Sequence, residues 1–138
     1  MPYATFSLYK PGIHIITFSD AEVNEGDFCN YLMELEALYR QETDLIVIFD
    51  ASRTSHLPPQ YRTRMGQWIR NHKNLIQQSC FLQVYVLSSP LMRFVLQGIF
   101  LIQKPPVSFK TISNLEDAKA LAEEISQSLV GVPLDHTK

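Results

Sequence analysis

Five consecutive apolar residues, Leu45-Ile46-Val47-Ile48-Phe49, constrain this chain more than any other segment. Three of them are β-branched, and acidic residues close the run at Asp44 and Asp50. A strand with no polar face must be covered on both sides. That is the situation of a central strand in a largely parallel sheet flanked by helices. A run this short is a strand rather than a buried helix, because helices rarely complete in so few residues.

The rest of the chain supplies the partners such a strand needs. Tyr3–Tyr9 alternates in strand fashion, with Tyr3, Thr5, Ser7 and Tyr9 on one side and Phe6 and Leu8 on the other. Lys10-Pro11-Gly12 marks a turn, and Ile13–Phe18 reads as a second strand, so the two form an antiparallel hairpin. Asn24 and Asp27 make a capping pair for a helix carrying Phe28, Leu32, Leu35 and Tyr39 on one face and running to about Gln41. After the polar loop Asp50–Leu57, Pro58-Pro59 opens a second helix with Tyr61, Met65, Trp68, Ile69, His72 and Ile76 aligned. Phe81–Leu87 is the next strand. Ser88 or Ser89 caps a third helix that Pro90 opens, and Pro105-Pro106 stops it. Val107–Ile112 is a fifth strand, and Asn114 caps a last helix, Leu115–Leu129, with Val130–Lys138 as a frayed tail. The predicted fold is α/β, β-β-α-β-α-β-α-β-α, with a mixed but mostly parallel five-stranded sheet and the first strand antiparallel at an edge. At 138 residues this is one domain, with a core spanning roughly residues 3–129.

The third helix, Leu91–Ile102, is apolar almost all the way round. At 100° per residue Leu91, Val95, Ile99 and Ile102 form one stripe beside Met92. Phe94 and Leu101 lie on one flank, Leu96 and Phe100 on the other, and only Arg93 and Gln97 open a polar gap. A helix on a sheet needs one apolar stripe. At least two of Phe94, Leu96, Phe100 and Leu101 are therefore expected to remain uncovered by the sheet. Either neighbouring helices bury them or they form a contact site.

Chemistry-bearing motifs are sparse. Asp50-Ala51-Ser52-Arg53-Thr54 follows a buried strand, where α/β sheets collect ligands, and its spacing resembles the nucleophile loop of aspartyl phosphatases. That chemistry requires a magnesium site with several oxygen ligands, yet no carboxylate follows Asp50 until Glu116. Asp50 and Ser52 are instead expected to bond to loop backbone N–H groups. Five glycines and no G-x-S-x-G leave no phosphate-cradling loop or nucleophile elbow. His14, His56, His72 and His136 are not at ligand spacing from one another or from a cysteine. His14 and His72 read as structural, whereas His56 lies in a loop at the ligand end of the sheet. No catalytic residue, metal or cofactor is assigned. Cys29 and Cys80 read as two free, buried thiols, a single disulfide being the alternative. With no basic-then-apolar leader and no apolar run approaching the ~20 residues of a membrane span, the expectation is a soluble cytoplasmic protein.

The mild net charge of −2 conceals a strong asymmetry. Residues 51–115 contain no acid and carry Arg53, Arg62, Arg64, Arg70, Lys73, Arg93, Lys104 and Lys110, a formal +8. The segments before and after are −7 and −3. One reading is solvation of two helix faces. The other is a basic, partly apolar surface that fits an acidic partner protein, an anionic lipid surface, or a second copy of the chain through its acidic first and last helices. Nucleic acid fits poorly, because no aromatic residues interleave with these arginines for stacking.

The element order is similar to that of the STAS domain, the sulfate-transporter and anti-sigma-factor-antagonist fold, in its stand-alone bacterial form. The second half carries most of the likeness: a strand ending at Ser89-Pro90, an apolar helix with Arg93 near its start, the strand Val107–Ile112, and the helix opening Ser113-Asn114-Leu115-Glu116-Asp117-Ala118. Asp50-Ala51-Ser52 falls where the family has D-x-S. The resemblance covers Tyr3–Leu129 and implies a non-catalytic regulatory module that signals by protein–protein contact. The phosphoacceptor serine of regulated members falls near Leu57-Pro58-Pro59, where there is no hydroxyl; Ser52, Thr54 and Ser55 are only neighbours. The contact surface this implies comprises the loop residues Asp50, Ser52, Arg53 and His56, the helix residues Arg62, Arg64, Arg70 and Arg93, and Phe94, Leu96, Phe100 and Leu101. The alternative is a binder of a small apolar or anionic-headed ligand such as a lipid or fatty acid.

Overall fold

The computed structural model describes residues 2–54 and 56–136, with side chains described as far as residue 129. Its elements are β1 (Ala4–Lys10), β2 (Ile13–Phe18), α1 (Glu25–Gln41), β3 (Leu45–Asp50), α2 (Pro59–Asn71), α3 (Lys73–Ser79), β4 (Cys80–Val86), α4 (Pro90–Ile102), β5 (Ser108–Ile112) and α5 (Leu115–His136). The sheet order is β1-β2-β3-β4-β5, antiparallel only between the edge strand β1 and β2. Gly12, at φ 82°, makes the hairpin turn in a conformation that a side chain would disfavour.

This order dictates where the helices lie. Each parallel crossover moves one strand in the same direction, and right-handed crossovers that all advance one way deposit their helices on one face. Residues from α1, α2, α3 and α4 accordingly share a core with Phe18, Val47, Phe49 and Tyr85. Only α5, which follows the last strand, reaches the other face, where Ala118 and Ala122 pack on Ile46, Ile48 and Val84. The five apolar residues of β3 are buried, as the run demands, and so is Asp50 at its end. The sheet order never reverses, so there is no crevice at a topological switch point of the kind that receives ligands in doubly wound sheets.

The helix starts follow the expected chemistry. Asn24 accepts from the Asp27 N–H, Ser89 from the Met92 N–H and Asn114 from the Asp117 N–H. Three sequence expectations need correction. The second helix does not run unbroken to Ile76. It ends at His72, whose ring stacks on Trp68 with its nitrogens facing Trp68 O and a Glu36 carboxylate oxygen, and α3 restarts beyond it. The last helix continues to His136 rather than ending at Leu129, running past Gly131 and Pro133. Thr137 and Lys138, at the end of the expected frayed tail, lie outside the described residues. Tyr3 does not share the side of Thr5, Ser7 and Tyr9. It precedes the strand, and its ring packs against Phe18, Phe28 and Tyr31 on the α1 face.

Candidate functional site

The loop after β3 is built as a bracket. Asp50 is buried, and its Oδ1 accepts the Ser52 N–H at 3.0 Å, an Asx turn. The Ser88 hydroxyl donates to Ser52 O at 2.9 Å, tying the β3–α2 loop to the β4–α4 loop. Thr54 is buried and donates to Ser19 O at 3.0 Å. Arg53 and His56 point to solvent, and Ser55 lies outside the described residues. Pro58 occupies the N-cap of α2 and offers no side-chain cap. Among the described residues no group of three or more His, Cys, Asp or Glu side chains could hold a metal ion.

The four α2–α4 arginines named from the sequence do not form one patch. Arg64 turns toward α1, where it forks onto Glu25 at 2.6 and 2.7 Å, and its guanidinium lies 5.0 Å over the Phe28 ring. Arg62 and Arg70 turn toward α4. Arg62 donates to Leu57 O at 2.6 Å, and its stem lies beside Gly98. Arg70 donates to Ile102 O at 2.5 Å, satisfying a carbonyl at the C-terminus of α4. Arg93 is exposed on the flank of α4 that carries Phe100, away from α2. Arg62 and Arg70 bond to neutral carbonyls, so their charge stays uncompensated. Among the described residues Arg53, Lys73, Arg93 and Lys104 have no ion-pair partner either.

The apolar surplus of α4 divides in the same way. Met92, Val95 and Ile99 are its buried row. Leu91, placed on the core stripe by periodicity, is 49% exposed, and Ile102 is half-buried. The helix is rotated by roughly 40° from the expected stripe. Gly66 of α2 lies where a side chain would meet Ile102, so that flank of α4 packs closely on α2. Leu96 and Phe100 are half-buried, and the Phe100 ring meets Tyr85 and Phe109 edge-on at 5.6 and 5.3 Å. Phe94 and Leu101 remain 63% and 88% exposed. With Leu91 they form the outer edge of α4, flanking Gly98 and rimmed by Arg62 and Arg70.

Sequence reasoning missed Gly66 and Leu91. A glycine inside a helix that is otherwise free of breakers was the available signal for the first.

Cys29 is not the buried thiol expected. It is half-buried, donates to Glu25 at 3.2 Å and lies 3.4 Å from an Arg64 nitrogen. Cys80 is buried, which pushes its thiol up to about 12. Both are free. A water-soluble disulfide reagent at neutral pH is therefore expected to label one thiol in the native protein and the second only on unfolding. Labelling of both at equal rates would contradict this arrangement.

The Arg64 hydrogen bonds, followed by that from Cys29, hold the Glu25 carboxyl below its ordinary 4.5. A depressed carboxyl contributes stability above the unfolded value and loses it as the pH falls through the folded one. The urea stability curves of the protein and of Glu25→Gln are thus expected to converge below pH 4.5 and to separate above it. Parallel curves across that range would show that the ion pair contributes nothing.

No protein-family model and no curated protein sequence matches the chain. Among the described residues no helix is long and apolar enough to cross a membrane.

Proposed function

We propose that this protein is a non-catalytic regulatory module that acts by binding a partner protein through the outer edge of α4 and the adjoining side of α2. The carrying observation is the exposure of Phe94 and Leu101 on the edge of α4 that adjoins Arg62 and Arg70. Large apolar side chains grouped in this way inside a charged rim mark contact surfaces. Unneutralised arginines at the rim select a partner whose apolar patch is bordered by carboxylates. The likeness to STAS modules supports the same reading, because that family works by protein contact. Pro58 at the N-cap of α2 supports control by something other than phosphorylation at that position.

A distinct partner is favoured over a second copy of the chain. Several of the acidic groups on α1 and α5 that another copy would offer are already engaged: Glu25 with Arg64, Glu36 with Arg40 and His72, and Glu123 with Lys10.

The test is photocrosslinking from position 94 in cells, with Leu101→Asp and Arg70→Glu as disrupting changes and Leu8→Asp, an exposed apolar site on β1, as control. The expected result is one dominant adduct that the first two changes abolish and the third preserves. An adduct indifferent to Leu101→Asp would refute the assigned surface. An adduct between two copies of this chain, matched by a dimer in light scattering, would replace the distinct partner with self-association.

A further inference from the structure

The sheet has two outer strands, β1 and β5, and they are defended differently. β5 carries Lys110 at its centre, a charge that opposes the addition of another strand. β1 has no such guard. From Ala4 to Tyr9 it contains no charge and no proline, and its bulge falls only at the far end, between Leu8 and Lys10. An uncharged strand edge of this kind is a template for pairing with a further chain.

The register shows which backbone groups are free. The Ser19 N–H donates to Tyr3 O at 3.0 Å, so Tyr3 and Ser19 oppose each other as a hydrogen-bonded pair. Such pairs alternate along an antiparallel ladder. Thr5 with Thr17 and Ser7 with Ile15 are the next two. The N–H and C=O groups of Ala4, Phe6 and Leu8 therefore point away from β2, toward the open edge.

The side chains of β1 are equally one-sided. Ala4, Phe6 and Leu8 lie on the α1 face, where the Phe6 ring meets Tyr31. Because α1 joins β2 to β3, its cover thins at β1. Leu8 is 63% exposed, beside an open groove that Phe6, Ala37 and Leu38 also line. On the other face Thr5 and Ser7 are exposed. A strand that pairs here must be extended and uncharged, with apolar residues toward α1 and polar ones opposite. β1 itself meets each of these requirements.

We propose that a second copy of this chain docks edge to edge, β1 antiparallel to β1 about a two-fold axis at Phe6, so that two sheets become one. Phe6 then opposes Phe6 of the second copy, Ala4 opposes its Leu8, and Thr5 opposes its Ser7. No other two-fold register uses all three outward-facing residues. Each of these residues exchanges both N–H···O bonds with its opposite. A small side chain meets a large one in the Ala4–Leu8 pairs, hydroxyls meet in the Thr5–Ser7 pairs, and no like charges oppose each other across the strands. The axes of the two acidic α1 helices stay about 20 Å apart, four strand spacings of ~4.8 Å. The contact is isologous and closes at two copies. It lies at the opposite end of the sheet from α4, so it leaves both α4 edges free, and position 94 gives no adduct across it.

The test is sedimentation equilibrium of the full chain from about 1 to about 500 μM, with amide hydrogen exchange at both ends of that range. The contact is small, so a dimer with a Kd of order 10 μM is expected. The Phe6 and Leu8 amides are expected to exchange slowly at the high concentration and fast at the low one. Those of Thr5 and Ser7, bonded to β2, are expected to be slow at both. Leu8→Lys puts a charge on the edge and is expected to weaken association at least about tenfold, whereas Leu101→Asp on α4 leaves it unchanged. A monomer throughout the range overturns the proposal and leaves the edge to a strand from another protein. A dimer whose Phe6 and Leu8 amides stay unprotected, or one that Leu8→Lys leaves intact, overturns it too and places the contact elsewhere. Exchange is read on the unaltered chain, so the outcome does not depend on the variant folding.

Discussion

Replacing Phe28 by alanine is expected to lower the unfolding free energy by about 4 kcal/mol, at the upper end for single core truncations. Phe28 is completely buried, and its ring ties together three parts of the structure. It lies 4.8 Å from Tyr61 of α2, 6.2 Å from Tyr31 on its own helix, and 6.3 Å from Tyr3 at the start of the hairpin. Tilted contacts at these distances add to the area term. The Arg64 guanidinium closes the cluster from outside. Truncation therefore costs the transfer energy of the ring, leaves a cavity between elements distant in sequence, and loosens the Arg64–Glu25 pair. Phe28→Leu is expected to cost only about 1.5 kcal/mol, because it retains most of the volume. Urea unfolding of both variants measures the difference. A loss below about 1.5 kcal/mol for the alanine variant would show that the cluster collapses around the gap and does not act as a rigid joint.

Gly66→Ala is expected to destabilise the protein by about 1–2 kcal/mol, although alanine is the better helix former. A Cβ at this position would stand 2.7 Å from Ile102 Cβ and 2.9 Å from its Cγ2. Ile102 Cβ is bonded to the backbone, so no rotamer change moves it, and the end of α4 must shift. Overpacking of this kind costs roughly 1–3 kcal/mol, against about 1 kcal/mol regained from helix propensity. Gly66→Val adds β-branching and more volume and is expected to cost about 3 kcal/mol. The shift also moves the Arg70–Ile102 contact and the Phe94–Leu101 edge, so partner capture is expected to fall more than stability does. Ile102→Gly removes the opposing Cβ. The Gly66→Ala, Ile102→Gly double variant is expected to be more stable than the two single changes sum to, by about 1 kcal/mol. Strict additivity in thermal or urea unfolding would show that the two helices do not meet at this point.

Much of the fold was legible because its signals are local. The apolar run of β3, the alternation along β1, the turn at Gly12 and the caps at Asn24, Ser89 and Asn114 each depend on residues close to one another in the chain. The order of elements then restricted the sheet, since short connections and right-handed crossovers permit few arrangements. The break at His72 escaped the same reasoning. The apolar face runs through it unchanged, and the contacts made at the break, a ring stacked on Trp68 and facing Glu36, involve another helix.

Which side chains of the candidate surface lie together was not legible in the sequence. An acid-free, arginine-rich segment with an over-apolar helix pointed to the α2–α4 region. Composition could not say that Arg64 is spent on Glu25, that Arg62 and Arg70 hold backbone carbonyls, or that Arg93 leaves by the other flank. Nor could it show that Tyr39 and Gln83 meet in the core. Each of these depends on partners far apart in the chain: 39 residues for Arg64 and Glu25, 32 for Arg70 and Ile102, 44 for Tyr39 and Gln83. Periodicity sets which face of a helix is apolar to within one neighbouring row. The roughly 40° turn that buries Met92 and exposes Leu91 lies within that margin, so periodicity alone could not show it. The chain by itself therefore determined that a strand like β3 must be enclosed and that α4 has more apolar surface than a sheet can cover. Packing between distant segments determined which of those side chains face solvent, because close contact is decided by shape at the sub-ångström level and local sequence carries no record of it.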